Sequence, residues 1–262
     1  MYKEFLRVRH ALMWFAITIG VTALGILIIN TAAHSGHATI VLDHGTTKIH
    51  KTVAIPWVIW FAAAAWVAAI MSTILGSTLS QENDHLALAW TKPRSRTSYA
   101  TALMLIDGAA ILITQFVAFA VILVLFKVLS PSSVPLTSAP DDALNVVRFA
   151  LFPLAWYALI VALSASLRNR AGIVQGLIWP VAIGLGSLIA LPAPWRQIFG
   201  VINFVNPILY TSYHAGSVGS GMVIDTGGTV LEISAGVGAL AFVAFVVLGW
   251  FAATYQWRRL EA

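Results

Sequence analysis

The sequence predicts an all-α integral membrane protein, with one transmembrane domain of six helices that covers residues 1–262. Three observations predict it: the composition, six long apolar stretches, and an uneven distribution of lysine and arginine between them. Of the residues, 59% are hydrophobic and 10% are charged, and the mean hydropathy is +0.86. Soluble domains average about 45–50% apolar and about 25% charged residues. The composition therefore argues against a soluble enzyme or a soluble binding module.

The six apolar stretches are each long enough to cross a bilayer. About 20 residues at 1.5 Å each span the ~30 Å hydrocarbon layer. By this measure the predicted spans are residues 11–33, 54–79, 102–128, 149–167, 171–191 and 233–255. The third is the least regular, because Asp107 lies near its start and Lys127 at its end. Most of the ten tryptophans are expected in belts at the two membrane interfaces.

The basic residues orient these spans. The chain has 15 Lys and Arg against 10 Asp and Glu, a net charge of +5. Basic residues concentrate in cytoplasmic loops, so the side that carries more of them is the cytoplasmic one. With a cytoplasmic N-terminus, that side carries ten: Lys3, Arg7, Arg9, Lys92, Arg94, Arg96, Arg168, Arg170, Arg258 and Arg259. The outer loops carry three: Lys48, Lys51 and Arg196. Lys127 and Arg148 are expected at outer helix ends, where long side chains reach the interface. Both termini are therefore predicted to be cytoplasmic, and the positive charge needs no nucleic-acid partner.

No catalytic or cofactor site is expected on this chain. It has no GxxxxGK(S/T) phosphate loop, no HExxH, no GxSxG and no cysteine. Four histidines fall in the first outer loop, at His34, His37, His44 and His50. Residues 39–49 of this loop are predicted to form a solvated hairpin, and metal binding by the histidines is the alternative.

Two polar residues inside the third span are candidates for a pathway or gating role. Asp107 is expected either to pair with a nearby arginine at the interface or to take part in gating. Gln115 is expected either to form an interhelical hydrogen bond or to contact a substrate. No ionisable residue lies near the middle of any span, which disfavours a proton-coupled carrier.

The segment between the second and third spans is the most informative. It opens with the polar run Ser80–His85, places Leu86 and Trp90 one helical turn apart, and reaches Pro93 followed by Arg94 and Arg96. A short amphipathic helix of this kind either docks into a groove on a soluble partner or lies flat on the bilayer. The composition does not decide between the two.

This segment resembles the corresponding segment of ABC-2 type transporter permeases, the membrane subunits of ATP-driven exporters. Glu82 matches the glutamate that follows the second helix in that family, and Pro93-Arg94-Ser95-Arg96 matches its Pro-x-Ser-Arg element. The chain has Asn83-Asp84-His85 where the family has Gly-Thr after the glutamate. The resemblance extends over nearly all 262 residues. It includes an interfacial N-terminal helix at 1–10, a tight turn at 166–170 and a re-entrant region at 198–210 that is broken at Pro207.

The resemblance implies a permease subunit in the inner (plasma) membrane, with no nucleotide bound by this chain. Two permeases, identical or related, would form the pathway, and two ATPase subunits that bind ATP and magnesium would dock beneath them. The implied coupling residues are Glu82, Asp84, Leu86, Trp90, Pro93, Arg94, Arg96, Arg168 and Arg170. Two alternatives remain from the residues alone: an ion-coupled secondary carrier, and a membrane scaffold that transports nothing.

Overall fold

The computed structural model is a bundle of α-helices. It describes residues 13, 15–21, 23–24, 55–81, 96–129, 136–138, 142–167, 171–188, 195, 198, 201, 204–211 and 234–259. Residues 13, 15–21 and 23–24 are helical. The helices are α1 (Trp57–Gln81), α2 (Arg96–Leu129), α3 (Asp142–Leu167), α4 (Ala171–Ser187) and α5 (Ala235–Arg259), with a 3₁₀ helix at Pro207–Thr211 between α4 and α5.

Within the described residues, four helices are long and apolar enough to cross a membrane. The candidate spans within them are Trp57–Ser77, Thr101–Val128, Asp142–Leu167 and Ala235–Gln256. The prediction of a helical membrane protein with several spans is therefore supported in this coarser form. The first, hairpin-bearing outer loop and the N-terminal segment 1–10 lie outside the described residues.

The helix bounds correct several predicted ones. α2 begins at Arg96 and α3 at Asp142, both earlier than the predicted spans, because the polar residues there continue the helix beyond its apolar part. Asp142 occupies the first turn of α3, where the helix dipole favours a carboxylate. α4 ends at Ser187, short of the predicted Leu191. At 1.5 Å per residue its 17 residues extend about 26 Å.

α3 is the centre of the bundle and packs most extensively against α5 and α1. Glycines permit the close approach on both sides. A Cβ at Gly249 of α5 would lie 2.8 Å from the backbone carbonyl carbon of Ala158, and one at Gly76 of α1 would lie 2.9 Å from Ile160. Small residues at such crossings bring helix backbones into direct contact, which is how helices associate in a bilayer.

Two short strands precede α1 and α3 and pair with each other. β1 (Ile55–Pro56) pairs in parallel with β2 (Leu136–Thr137), so Ile55 lies opposite Leu136 and Pro56 opposite Thr137. The pairing places the start of α1 beside the start of α3, at what is called here the β end of the bundle.

Candidate functional site

The opposite end of the bundle carries the helix ends that flank the predicted coupling residues. Gln256 Nε2 of α5 donates to Ser166 Oγ at the end of α3 over 2.6 Å, and Trp250 Nε1 donates to Thr101 Oγ1 near the start of α2 over 3.3 Å. Ile74, near the end of α1, belongs to a buried apolar cluster against which Trp250 also packs. The ends of α1, α3 and α5 and the start of α2 therefore meet at this end.

The predicted coupling residues themselves fall mostly between described segments. Arg96 is the first residue of α2. Eight others lie outside the described residues: Glu82, Asp84, Leu86, Trp90, Pro93, Arg94, Arg168 and Arg170. The helices on either side of them are described. α1 ends at Gln81, directly before Glu82, α3 ends at Leu167 and α4 begins at Ala171.

Asp107 lies within the bundle, about three turns after the start of α2, and is 5% exposed. The Tyr157 hydroxyl of α3 donates to its Oδ2 over 2.6 Å. This short bond links α2 to α3 in the half of the bundle nearer the predicted coupling residues. From the sequence, either an arginine partner or a gating role is expected for Asp107, and nothing there selects Tyr157, which is 50 residues away in the chain.

Gln115 forms an interhelical hydrogen bond, one of the two roles predicted for it. Its Nε2 donates to the backbone carbonyl of Phe149 over 3.1 Å, and its side chain is fully buried. Pro153 lies four residues after Phe149 inside α3 and has no N–H to donate to that carbonyl. The Gln115 amide supplies the missing donor, so it braces α3 at its proline.

Thr73 is the centre of a contact among three helices that sequence analysis does not predict. Its Oγ1 accepts hydrogen bonds from the indole N–H groups of Trp156 in α3 and Trp179 in α4, both over 3.0 Å, and donates to the carbonyl of Ala69. A hydroxyl has one donor and two acceptor positions, so all three are used here. The only advance signal is a hydroxyl residue inside an apolar span.

The two tryptophans at this contact are held by the bundle itself, while the expectation that most of the ten lie in interfacial belts stays a prediction. Trp156 is fully buried and its ring lies 4.6 Å from that of Trp179, centroid to centroid. Trp66 packs against both Trp179 and Phe152. The indole N–H groups of Trp156 and Trp179 find Thr73 inside the bundle, so these two rings do not need the polar headgroup region to satisfy them.

Arg148 contradicts the prediction that its side chain reaches the interface. It is 2% exposed, and its Nε donates to the carbonyl of Tyr210 over 2.6 Å. A Cβ at Gly238 of α5 would lie 2.6 Å from this Nε, so a side chain there would displace the guanidinium from its present position. Its charge also faces the Phe149 ring, with Cζ 5.5 Å from the centroid. These contacts satisfy the guanidinium inside the bundle, whereas the predicted position at the interface assumes that water satisfies it.

The 3₁₀ helix touches three helices near the β end. Arg148 holds it to α3, Asn206 Nδ2 donates to the Ala182 carbonyl of α4 over 2.8 Å, and the Tyr210 ring packs on Phe242 of α5. Burial raises the pKa of the Tyr210 phenol above its ordinary value, so its hydroxyl keeps the proton that it donates to the Phe204 carbonyl. The predicted break at Pro207 is present, since this residue begins the 3₁₀ helix.

No group of three His, Asp or Glu side chains that could hold a metal occurs in the described part of the chain. The four histidines of the first outer loop fall outside it. Comparison of the chain with known protein families, with curated proteins and with solved structures finds no match in any of the three.

Proposed function

We propose that this chain is the membrane permease subunit of an ABC exporter. The observation that carries the proposal is the sequence between α1 and α2, where Glu82 and the Pro93-Arg94-Ser95-Arg96 element occur in the order seen in ABC-2 type permeases. The helix bounds are compatible with it, because Gln81 ends α1 directly before Glu82 and Arg96 begins α2.

In this proposal, residues 82–95 and 168–170 contact two ATPase subunits in the cytoplasm. ATP and magnesium bind to those subunits, and their closure pushes on the segment from Glu82 to Trp90. The ends of α1, α3 and α5 and the start of α2 lie at one end of the bundle, so a push there reaches several helices together. Two permease copies, or two related permeases, form the pathway between them.

The proposal includes the finer membrane arrangement: six spans, cytoplasmic termini in the inner (plasma) membrane, an interfacial N-terminal helix, and a re-entrant segment before α5. Asp107 remains the gating candidate, because its bond to Tyr157 joins α2 and α3 in the half of the bundle nearer the ATPases. Gln115 is assigned the bracing of α3 rather than contact with a substrate, since it is enclosed and bonded to the Phe149 carbonyl.

Purification of the tagged chain from its native membranes in a gentle detergent tests this function. We expect an ATPase subunit to co-purify, identified by mass spectrometry, and the preparation to hydrolyse ATP in the presence of magnesium. Leu86→Asp and Trp90→Asp should each lose the ATPase, because a carboxylate replaces the apolar anchor of the docking helix.

Leu88→Asp is the matched control. Leu88 is two residues from both Leu86 and Trp90, so on a helix it faces about 200° away from them. It should leave the ATPase bound. A chain that purifies without any ATPase, or whose ATPase is indifferent to Leu86→Asp and Trp90→Asp, contradicts the proposal and favours a secondary carrier or a scaffold.

A further inference from the structure

Two of the helices contain an internal proline, and the proline has the same local effect in each. It removes the N–H that would bond to the carbonyl four residues earlier, and its ring strains the turn before it. Pro153 leaves the Phe149 carbonyl of α3 without its intrahelical N–H donor, and Pro180 does the same to the Gly176 carbonyl of α4. A helix interrupted in this way bends at the interruption unless another group restores the bond.

In α3 the bond is restored from outside. Gln115 Nε2 of α2 donates to the Phe149 carbonyl over 3.1 Å. The Ser72 hydroxyl of α1 lies 2.9 Å from the carbonyl of Pro153 itself. Neighbouring helices therefore hold both sides of the interruption, and α3 is braced where its own hydrogen bonding fails.

In α4 the carbonyl has no such support. No side chain in the described part of the chain donates to Gly176, and a Cβ built on this residue would meet nothing within 4 Å. The next glycine beyond the proline, Gly184, is equally open. On this face of the helix Leu177 and Val181 are exposed, whereas Ile178 and Trp179 on the other face pack against buried side chains of the bundle. The turn before Pro180 is therefore open to bending on its exposed face.

Among the described residues, a hydrogen bond holds α4 to a neighbouring segment on each side of Pro180. Before it, the Trp179 indole donates to Thr73 of α1 over 3.0 Å and stacks on Trp156, which ties this point to the centre of the bundle. After it, the Ala182 carbonyl accepts a hydrogen bond from Asn206, which precedes the 3₁₀ helix. The first contact joins α4 to the bundle, and the second joins its remaining half to the 3₁₀ helix.

We infer that α4 is a hinged helix. Trp179 and Pro180 form the hinge, and the half from Val181 to Ser187 moves together with the 3₁₀ helix relative to α1, α2 and α3. This motion breaks the hydrogen bond from Arg148 Nε to the Tyr210 carbonyl, which holds the 3₁₀ helix to α3. The inference goes beyond the proposed exporter function and does not require it, because it concerns how one chain bends. In an exporter this motion would open and close the bundle near its β end.

The chain contains no cysteine, so pairs of spin labels can be placed on introduced cysteines without altering the background. Three labelled positions are exposed: Ile113 on α2, next but one to Gln115; Leu177 before the hinge; and Ile183 after it. Distances between labels are measured by pulsed electron paramagnetic resonance on the purified chain in nanodiscs, without nucleotide or partner.

The expected result is a broader distance distribution for 113–183 than for 113–177. Pro180→Ala restores an N–H to the Gly176 carbonyl and should narrow the 113–183 distribution roughly twofold, with 113–177 unchanged. Pro153→Ala is the matched control and should change neither, because the Phe149 carbonyl already has a donor. Equal widths for the two pairs, or a 113–183 width that Pro180→Ala leaves unaltered, would overturn the hinge.

A fourth label at the exposed Val205 tests the shared movement. The 183–205 distribution should be narrow in the unaltered chain and broad in Asn206→Ala, while 113–205 is broad in both. A broad 183–205 distribution in the unaltered chain would contradict movement of the two segments as one unit. Because no ATPase enters this experiment, its failure is distinct from failure of the proposed exporter function.

Discussion

α3 and α4 each carry a proline in the middle of an apolar helix, and their surroundings differ. α3 lies between α1 and α5, and its buried face runs the length of the helix, from Asp142 to Ala165. α4 has buried side chains at Val174 and Ala182 and is exposed over much of the rest. The same covalent interruption is thus enclosed by donors in one helix and left open in the other. A proline in a membrane helix is therefore a fixed bend where a neighbouring helix donates a hydrogen bond to the carbonyl four residues earlier, and a hinge where none does.

The largest expected effect concerns how tightly α3 is enclosed. Gly249→Ala would place a Cβ 2.8 Å from the Ala158 backbone, so α5 must move away from α3. We expect a loss of about 2–3 kcal/mol in the free energy of unfolding, measured by equilibrium unfolding in detergent micelles. The matched change in the open helix is Gly176→Ala, which meets nothing within 4 Å. It should lose no stability and gain up to about 1 kcal/mol from helix propensity. Equal losses for the two would mean that α3 and α4 are equally enclosed.

A smaller effect is expected from removal of the brace. Gln115→Leu keeps a side chain of similar volume but leaves the buried Phe149 carbonyl without its donor. We expect the free energy of unfolding to fall by about 1–2 kcal/mol. In the same unfolding measurement, the double variant Gln115→Leu with Pro153→Ala should recover most of this loss, because residue 153 regains its N–H. If the second change fails to rescue the first, Gln115 stabilises the bundle in some way other than through the proline-freed carbonyl.

The smallest of these effects concerns the anchor of α4. Thr73→Val has nearly the same shape but strands the indole N–H groups of Trp156 and Trp179. We expect a loss of about 1 kcal/mol, since interhelical hydrogen bonds in membranes average about 0.6 kcal/mol each. Thr73→Ser retains the hydroxyl and is the control. In the spin-label experiment, Thr73→Val should also broaden the 113–177 pair, which Pro180→Ala does not affect. A 113–177 distribution that stays narrow would show that Thr73 does not anchor the first half of α4.

Helix type and much of the helix placement could be predicted from the sequence. Hydropathy over about 20 residues is a local property, so the candidate spans in α1, α2 and α5 fall within or close to their predicted spans, while that of α3 starts at Asp142 rather than at 149. The break at Pro207 was also predictable, since proline restricts its own backbone wherever it occurs. Where the helices end was harder to predict, because polar residues such as Arg96 and Asp142 extend them beyond their apolar parts.

Partnerships between distant residues could not be predicted in the same way. Gln115 was expected to bond across helices, but its partner is a carbonyl freed by a proline 38 positions later in the chain. From the sequence, Arg148 is expected at the membrane interface, because its bond to the Tyr210 carbonyl and the space beside Gly238 are not apparent there. Thr73 is marked in the sequence only as a hydroxyl residue inside an apolar span. Each of these contacts depends on which helix faces which, and a single sequence does not encode that locally.

The proposed exporter function requires that ATP bound to a partner chain moves helices of this chain. Its most direct test is the 113–183 distance distribution in the purified complex with its ATPase, with and without ATP and magnesium. We predict that ATP shifts the distribution, that the shift is lost when magnesium is removed, and that it is absent in Trp90→Asp and retained in Leu88→Asp. A distribution that stays the same while the complex hydrolyses ATP would contradict the claim.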